Sequence, residues 1–438
     1  MRFTKFFIYF LFFSTFLFAK SNTPFAYYEF KGQEEGPTLL VIGGIHGDEP
    51  GGYFAPALLV HNYRIKKGNL FIIPNLNPDS ILANRRGIYK DMNRKFAKIA
   101  KNDPDFKNVE RVKKIITNKE VDLIINLHDG HGFYRQKWEN SIFNPRAWGQ
   151  TYVIDQKTIN DVPFGNLDEI TTQIVTKLNQ NLHYDYHTFG VKNTETKEKD
   201  EEQQNSLTFF AITHLKPALA IETSKNIKEL ELKVHYQLSS IETLMDIMGI
   251  SYERDFELTR EGVHNEIIKY GTLKINDNIT LPLSTLKQNL NFIPLKRSGN
   301  TFAFSHTLGR IKHDKGDYAI YIGHKKISTL KPDYFTMQCD IEGVKIKADN
   351  KETKFYNFGE TLEFSDNFVI KDCKNARINV IGFSKKGIKN ECEIPVSKRE
   401  ISSKYSLDKE KSLYRIEVYQ GQNFCGTINA KYDINQGK

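Results

Sequence analysis

Cysteine is scarce in this sequence and absent from its first three quarters. All four cysteines lie in the last hundred residues, at Cys339, Cys373, Cys392 and Cys425. No two of them form a C-x-x-C pair, which argues against a metal site built on cysteine. In an oxidising compartment they predict one or two disulfides, and the sequence leaves all three pairings of four cysteines open.

Long hydrophobic runs are also scarce, because only the N-terminus carries one. Arg2 and Lys5 precede an almost unbroken apolar stretch at 6–18, and Ala19 is a small residue suited to the position before a cleavage site. The pattern predicts a secretory signal peptide over 1–19, since the stretch is shorter than the roughly 20 residues of a transmembrane helix. We therefore expect a periplasmic protein with no membrane span after cleavage. A retained N-terminal anchor is the alternative.

Charge of one sign does not dominate the chain. The formal net charge of +9 comes from 62 basic and 53 acidic residues, and mixed-sign clusters such as 195–202 interrupt it. Nucleic acid is therefore a poor candidate partner for an exported chain, whereas a mildly basic surface suits an anionic surface or polymer. With 39% hydrophobic residues and no internal repeat, the chain should fold into two or three packed domains.

Hydrophobic patterning divides the chain into an α/β part and an all-β part. Up to about residue 250, short apolar runs alternate with helical periodicity, which predicts a mostly parallel, doubly wound sheet with helices on both faces. Later, short strands separated by turns predict two small all-β domains. We expect an α/β domain over 20–250, a barrel-like domain over 251–333 and an immunoglobulin-like β-sandwich over 334–438. The predicted α/β strands are 38–45, 68–74, 121–127 and 218–222, and the helices are 51–60, 105–117, 167–182 and 227–248.

Several polar residues fall at the predicted carboxyl ends of these strands. His46 and Glu49 occupy the glycine-rich turn after the first strand, His128 ends the third strand, and Glu222 ends the fourth. Ligands of open α/β sheets bind along this edge. Two histidines and a carboxylate can form the protein part of a catalytic zinc site. His46, Glu49 and His128 therefore predict a zinc site, with His131 as a rival third ligand.

Other polar residues suit the remaining tasks of a hydrolytic site. Glu222 stands among apolar neighbours, and burial would raise its pKa toward the range of a proton shuttle at neutral pH. Arg86, Asn93 and Arg94 offer guanidinium and amide groups that match an acidic substrate end. Asp129 could orient a metal ligand from outside the ligand set.

In residue type and order, residues 36–250 resemble the zinc carboxypeptidase (carboxypeptidase A-like) family. The resemblance implies that His46, Glu49 and His128 hold zinc. It implies that Glu222 activates water and then protonates the leaving amine. Arg86 would help to bind the scissile carbonyl, and Asn93 and Arg94 would bind the terminal carboxylate. The matching residues are His46, Glu49, Asn75-Leu-Asn-Pro-Asp79, Arg86, Asp91-Met-Asn-Arg94, His128 and Glu222.

Within that family, the chain is most similar to bacterial cell-shape peptidoglycan carboxypeptidases. The similarity lies in the turn at 44–50, the loop at 128–134, the signal peptide and the two β domains. It implies a zinc-dependent DL-carboxypeptidase that removes meso-diaminopimelate from muramyl tripeptides and leaves dipeptides. The β domains are then candidate contact surfaces for other cell-shape proteins.

One departure from the family pattern concerns the tyrosine that closes over the substrate. None of the available tyrosines stands in a matching motif, so the sequence assigns no lid residue; these are Tyr134, Tyr152, Tyr184 and Tyr186.

Two other functions are compatible with parts of the pattern. N-acyl amino-acid deacylases of the succinylglutamate desuccinylase and aspartoacylase type share a Gly-x-His-Gly-x-Glu turn, but as a group they are intracellular and lack such β domains. A non-catalytic wall-binding scaffold is the third hypothesis. The complete set of His46, Glu49, His128 and Glu222 argues against it.

Overall fold

An eight-stranded mixed sheet forms the core of the N-terminal part of the chain. The computed structural model describes residues 22–373 and 375–433, so the predicted signal peptide lies outside the described residues. All strands of this part except β5 and β6, which pair with each other, belong to the sheet. In chain order they are β1 (Tyr28–Lys31), β2 (Glu34–Ile42), β3 (Tyr63–Ile73), β4 (Leu123–Gly130), β5 (Phe133–Tyr134), β6 (Phe143–Asn144), β7 (Thr151–Ile154), β8 (Gly190–Asn193), β9 (Ala218–Ser224) and β10 (Ser251–Arg254).

The four central strands are parallel and lie in the order β3-β2-β4-β9. Their apolar runs are buried on both faces, as expected for strands covered by helices. Antiparallel strands flank them: β1 and β10 pair with β3, and β7 pairs with β9, while β8 runs parallel to β7. The predicted α/β fold with a mostly parallel sheet is confirmed.

Helices cover the sheet and bring its loops together. The helices α1, α4 and α8 pack against the long α7, whereas α6 packs against β4 and β9. Within the described ranges, no helix has both the length and the apolar composition needed to cross a membrane. The α-helices are α1 (Pro50–Asn62), α2 (Pro78–Ala83), α3 (Phe106–Ile116), α4 (Leu167–Leu178), α5 (Thr196–Lys199), α6 (Leu207–Thr213), α7 (Leu230–Met248) and α8 (Arg260–Ile267).

A middle β module, which we define as residues 272–334, follows the α/β part. Its strands form two sheets, β12-β11-β14 and β13-β17-β16-β15. The strands are β11 (Thr272–Ile275), β12 (Ile279–Pro282), β13 (Asn289–Leu295), β14 (Phe302–Phe304), β15 (Gly309–Asp314), β16 (Asp317–Ile322) and β17 (Lys325–Tyr334).

A C-terminal β module, which we define as residues 343–432, consists of two four-stranded sheets around one apolar core. The two modules confirm the predicted all-β parts, while the domain boundaries at 250 and 333 stay predictions. The strands are β18 (Gly343–Ala348), β19 (Lys354–Asn357), β20 (Thr361–Phe364), β21 (Asn367–Lys371), β22 (Arg377–Val380), β23 (Val396–Ser397), β24 (Leu413–Gln420) and β25 (Asn423–Tyr432).

Two disulfides lie in the C-terminal part of the chain. Cys339 pairs with Cys425, and Cys373 pairs with Cys392. The first bond ties the segment that enters the C-terminal module to β25. Together, the two bonds are one of the three pairings that the sequence left open.

The middle β module contacts helix α1, which begins directly after Glu49. The Tyr53 hydroxyl lies 2.5 Å from His324 Nδ1, and the Thr307 backbone N–H donates to His61 Nε2 at 3.2 Å. Contacts at two points along α1 hold the helix against this module.

The middle β module is also bonded to the C-terminal β module. Asn278 donates from its amide to the Cys425 carbonyl at 2.8 Å, and its own carbonyl accepts from Thr427 N–H at 2.9 Å. Hydrogen bonds therefore link all three parts of the chain in series.

Candidate active site

The turn after β2 owes its shape to close packing against α2. Gly44 has a φ of +70°, a left-handed conformation that favours glycine. A Cβ atom on Gly47 would lie 1.9 Å from the Ser80 backbone oxygen, so only glycine permits this approach. The turn thereby holds His46 and Glu49 beside the end of β4.

His46, Glu49 and His128 converge on one point in the protein interior. His46 Nδ1 lies 2.9 Å from Glu49 Oε1, His128 Nδ1 lies 2.9 Å from Glu49 Oε2, and the two Nδ1 atoms are 3.2 Å apart. All three side chains are buried. Ligand atoms about 2.0–2.1 Å from a tetrahedral zinc ion are separated by roughly 3.3 Å. The spacing of these three ligand atoms therefore fits a zinc-sized cation.

The outer nitrogen of each imidazole has a partner that can fix its tautomer. His46 Nε2 lies 2.8 Å from Asp91 Oδ1, so Nε2 keeps a proton, and Nδ1 presents its lone pair once the imidazole is neutral. His128 Nε2 lies 2.8 Å from the Asn126 amide nitrogen, while Asn126 Oδ1 is buried with no hydrogen-bond partner among the described residues.

Exchange of the Asn126 amide nitrogen and oxygen, which have nearly the same shape, resolves this mismatch. His128 then donates from Nε2 to the Asn126 oxygen and presents the Nδ1 lone pair. After the exchange, the Asn126 oxygen that lacked a partner accepts the His128 Nε2–H. This is the tautomer of His128 that can bind a metal through Nδ1.

Burial and neighbouring charges together set the pKa values of His46, Glu49 and His128. Burial alone would lower the pKa of His46, but Glu49 and Asp91 outweigh it and raise the pKa to about 9. Burial lowers the pKa of His128. Burial opposes ionisation of Glu49, yet the charge of His46 keeps the Glu49 pKa well below its usual value. Binding of a cation would therefore displace a proton from His46.

Strand β9 places Glu222 beside His128, its register partner on β4. Glu222 lines a cavity of about 330 Å³ whose wall also includes the three converging side chains. In the described part of the chain, its carboxylate has no hydrogen-bond or ion-pair partner. Burial raises the Glu222 pKa well above its usual value, and the charge of Glu49 adds to the effect. Such a carboxyl group can accept and return a proton.

Arg86 lies in the cavity wall beside the ligands. Its Nη1 is 3.3 Å from Glu49 Oε1, and its Nε donates to Asp91 Oδ2 at 2.9 Å. About half of the Arg86 side chain is exposed. The guanidinium is therefore held by two carboxylates and still accessible from the cavity.

Asn93 and Arg94 line the cavity farther along. Asn93 Oδ1 accepts from Leu207 N–H at 2.9 Å, which leaves the amide N–H₂ as its free donor. Arg94 donates from Nε to Glu202 Oε1 at 2.8 Å and from Nη1 to the Asn93 carbonyl at 3.1 Å. Both side chains offer hydrogen-bond donors to the cavity, and their role in binding a substrate carboxylate stays a prediction.

Asp129 contacts the turn that carries Glu49 and the start of helix α1. Its backbone N–H donates to Glu49 Oε2 at 3.3 Å, and its carboxylate accepts from Gly51 N–H at 3.0 Å. The carboxylate also contacts Thr223 Oγ1 and Lys233 Nζ. Asp129 thus ties the start of α1 to β9 and α7, and it orients Glu49 through the backbone.

The structure places the remaining sequence candidates away from these roles. His131 lines the cavity but lies outside the three-residue cluster. Tyr152 is buried in β7, and Tyr184 and Tyr186 are exposed. In the described residues, none of these tyrosines, nor Tyr134, lines the cavity.

Sequence reasoning missed several residues of the cavity and its surroundings, among them Asp91, Lys225 and Trp148. Asp91 belongs to a noted motif but was given no role. Lys225 Nζ lies 2.7 Å from Asp48 Oδ2 and 3.5 Å from Glu49 Oε1. Trp148 lines the cavity, with Lys192 Nζ 4.0 Å from its ring centroid. Position just past a strand end could have indicated Lys225, but no sequence signal indicated Trp148.

Comparison with known proteins agrees with this geometry. Residues 1–268 match the family described as "Carboxypeptidase controlling helical cell shape catalytic", and residues 337–433 match "C-terminal domain of metallo-carboxypeptidase". The apo crystal structure of the cell shape determinant protein Csd4 from Helicobacter pylori is 33% identical, with a TM-score of 0.88. The match covers 93% of this chain and 100% of that one. Csd4 has also been solved with a bound tripeptide and, as a D,L-carboxypeptidase, with bound mDAP, at the same identity, coverage and TM-score.

A curated relative with a different activity matches only in part. The N-alpha-acetyl-L-2,4-diaminobutyric acid deacetylase of Halomonas elongata is 35% identical over 104 residues, which cover 22% of this chain and 29% of that protein. The chain thus matches less than a third of the length of that relative. By family and by structure, the chain belongs to the carboxypeptidases controlling helical cell shape and is a metallocarboxypeptidase.

Proposed function

We propose that this protein is a zinc-dependent DL-carboxypeptidase that removes meso-diaminopimelate from muramyl tripeptides and leaves dipeptides. The observation that carries the proposal is the convergence of His46, Glu49 and His128 in one cavity with the unpartnered Glu222. The mDAP-bound D,L-carboxypeptidase Csd4, which matches over its whole length, supports the choice of substrate.

The three converging side chains would hold the metal through two imidazole Nδ1 atoms and a carboxylate. When bound, zinc supplies polarisation of the scissile carbonyl and acidification of water. Glu222 would accept a proton from the attacking water and donate it to the leaving amine. Arg86, held beside Glu49, would stabilise negative charge that develops on the carbonyl oxygen.

The charged wall of the cavity suits a departing amino acid with several ionised groups. The Asn93 amide and the Arg94 guanidinium would bind its terminal carboxylate. The Arg94 partner Glu202 is 76% exposed, so a substrate carboxylate can replace it at little cost. Diaminopimelate has a second carboxylate and a second amino group, and the wall also carries Lys225 and Asp200.

We also infer where the protein acts and how its chain is divided. A signal peptide at 1–19 would direct the chain to the periplasm, where the wall polymer is located. The metal and catalytic residues would belong to a domain over 20–250. The β domains at 251–333 and 334–438 would then offer surfaces for contacts with other cell-shape proteins.

The direct test is product analysis with two substrate classes. Metal-loaded protein is incubated with purified muramyl tripeptides and, separately, with N-acyl amino acids, and the products are identified by mass. The proposal predicts loss of diaminopimelate from the tripeptide. Intact tripeptide together with cleaved N-acyl amino acids would instead establish a deacylase, the activity class of the partially matching Halomonas relative.

Glu222→Gln tests the assignment of the base. The amide keeps the shape of the side chain but cannot accept the proton, so turnover should fall by at least about 100-fold. Metal content, measured by mass spectrometry, should stay at one ion per chain. Glu253→Gln, at an exposed position of β10, is the control and should keep full activity. Loss of the metal in Glu222→Gln would show that Glu222 is a ligand rather than the base.

A further inference from the structure

We propose that an aromatic surface beside the cavity binds the glycan strand that carries the peptide substrate. It consists of Trp138, Tyr184 and Tyr186, and we call it the aromatic platform. The inference rests on the proposed function and adds to it a binding site for the sugar part of the same polymer.

The platform is unusual because its large rings face solvent. Trp138 is 60% exposed, Tyr184 43% and Tyr186 48%, and Ile142 in the same loop as Trp138 is also exposed. These side chains come from two segments, 135–143 and 183–188, which are joined by contacts. Clustered exposed apolar side chains of this kind mark binding surfaces more often than chance.

The tyrosine rings are held in place from below. Tyr184 and Tyr186 stack with ring centroids 5.5 Å apart, and Tyr186 meets the ring of His187 edge-on at 4.5 Å. His187 is buried, and its Nδ1 lies 2.9 Å from the Tyr236 hydroxyl. A ligand would therefore meet rings that are already ordered, which reduces the entropy cost of binding.

Arg135 connects the two segments of the platform. Its guanidinium donates to the Tyr186 carbonyl at 2.6 Å and to the Tyr134 carbonyl at 2.8 Å, and it lies 5.0 Å from the Phe143 ring centroid. The loop that carries Trp138 is thereby fixed against the segment that carries the tyrosines.

Gln150 joins this surface to the catalytic strand. It is fully buried, donates from Nε2 to the His187 carbonyl at 2.8 Å, and accepts at Oε1 from Ser224 N–H at 3.1 Å. Ser224 follows Glu222 by two residues in β9. Trp148, two residues before Gln150, lines the cavity. One buried side chain thus links the segment that carries the two tyrosines to the strand that carries Glu222.

The geometry of the substrate identifies the occupant. The cavity of about 330 Å³ has room for the end of the peptide, so the sugar attached to the other end would lie outside the cavity. Sugar rings present C–H faces that pack on aromatic rings, and tyrosine adds a hydroxyl that can bond to sugar hydroxyls. Exposed aromatic rings match an uncharged glycan better than they match the ionised peptide.

Kinetics with matched substrates test the proposal. The tripeptide is offered either on a short glycan strand or without sugar. The double variant Tyr184→Ala/Tyr186→Ala, and separately Trp138→Ala, should raise KM for the glycan-borne tripeptide by roughly three- to tenfold. Neither should change kcat or the kinetics of the sugar-free tripeptide. Phe355→Ala, an equally exposed ring on β19, is the control.

Binding of peptide-free glycan strands gives a readout that does not depend on catalysis. The wild-type protein should bind the strands, and both platform variants should lose this binding. Equal KM changes for both substrates, or unchanged kinetics together with no glycan binding, would overturn the platform and leave the surface to a protein partner. Glycan binding that requires the platform, without any hydrolysis of tripeptide, would overturn the proposed function alone.

Discussion

The two imidazoles of the proposed metal site are oriented by residues outside the three-residue cluster. Asp91 and Asn126 lie against the outer nitrogens of His46 and His128, each at 2.8 Å. These contacts determine which nitrogen presents its lone pair. The choice of tautomer is thus made by side chains outside the ligand set.

Asn126→Leu should weaken metal binding without removing a ligand. Leucine fills a similar volume but cannot accept the His128 Nε2–H, so we expect a loss of metal affinity of about 10- to 100-fold. Competition with a chromophoric chelator measures it. Asn126→Asp keeps an acceptor and should bind metal more tightly than Asn126→Leu. Equal affinity in the two variants would show that Asn126 does not orient His128.

His306 should make stability depend on pH. Its buried ring accepts from Leu308 N–H at Nδ1, and burial, with a smaller effect of His61, lowers its pKa to about 3. An unfolded histidine titrates near about 6.5, so the unfolded state binds more protons between these values. Stability from the neutral ring is therefore complete above about pH 6.5 and decreases as the pH falls toward 3.

His306→Asn removes this titration and keeps an acceptor for Leu308. Its melting temperature should fall less between pH 7 and pH 5 than that of the wild-type protein. Thermal unfolding followed by circular dichroism at both pH values measures the difference. Identical pH dependence would assign the acid sensitivity to other groups.

The sequence predicted those residues of the cavity that stand at the end of a predicted strand. His46, Glu49, His128 and Glu222 follow or end apolar runs, and the structure brings all four to one cavity. Asn126 carries no such signal, because it is a polar residue inside a buried strand. Asp91 and His46 are separated by 45 residues, so their contact depends on the folded loop rather than on any local pattern.

At the scale of elements, the turn between β2 and α1 is set by close packing. A Cβ on Gly47 would meet the backbone of Ser80, which cannot move without displacing α2. The turn therefore has little room to adapt to a side chain.

Gly47→Ala should destabilise the protein by about 1–3 kcal/mol through overpacking and should lower metal affinity. Gly387→Ala is the control, because its φ of +85° adds strain while no atom lies within 4 Å of the new Cβ. Denaturant unfolding compares the two variants. A smaller loss of stability in Gly47→Ala than in the control would contradict the packing argument.

The sequence predicted which segments form strands and helices more accurately than it predicted the residues at which these elements begin and end. Strand β4 was expected to stop at residue 127, yet it continues to Gly130 because His128, Asp129 and Gly130 stay paired with β9. Strand β2 ends at Ile42, three residues early, where the chain turns at Gly44. The short strands β7 and β8 were not predicted, since four residues carry little periodicity.

At the scale of the whole molecule, the two disulfides should differ in their effect on stability. Cys339–Cys425 spans 86 residues and Cys373–Cys392 spans 19. Loop-closure entropy predicts contributions of about 4–5 kcal/mol for the longer loop and about 3 kcal/mol for the shorter one.

The paired variants Cys339→Ser/Cys425→Ser and Cys373→Ser/Cys392→Ser test this difference. The first should show the lower melting temperature of the two in calorimetry without reductant. The wild-type protein under reducing conditions should melt below both variants. A larger loss in the second variant would mean that native contacts, not loop length, set the contributions.

The chain of contacts from β25 through the middle β module to α1 also has a consequence for when the enzyme matures. The Cys339–Cys425 bond stabilises the module whose Cys425 carbonyl is bonded to Asn278, and the middle module in turn holds α1 beside Glu49. A chain whose cysteines are still reduced lacks the Cys339–Cys425 bond, with which this series of contacts begins. The protein would reach its full stability only after oxidation, so its activity would develop late, once the disulfides have formed.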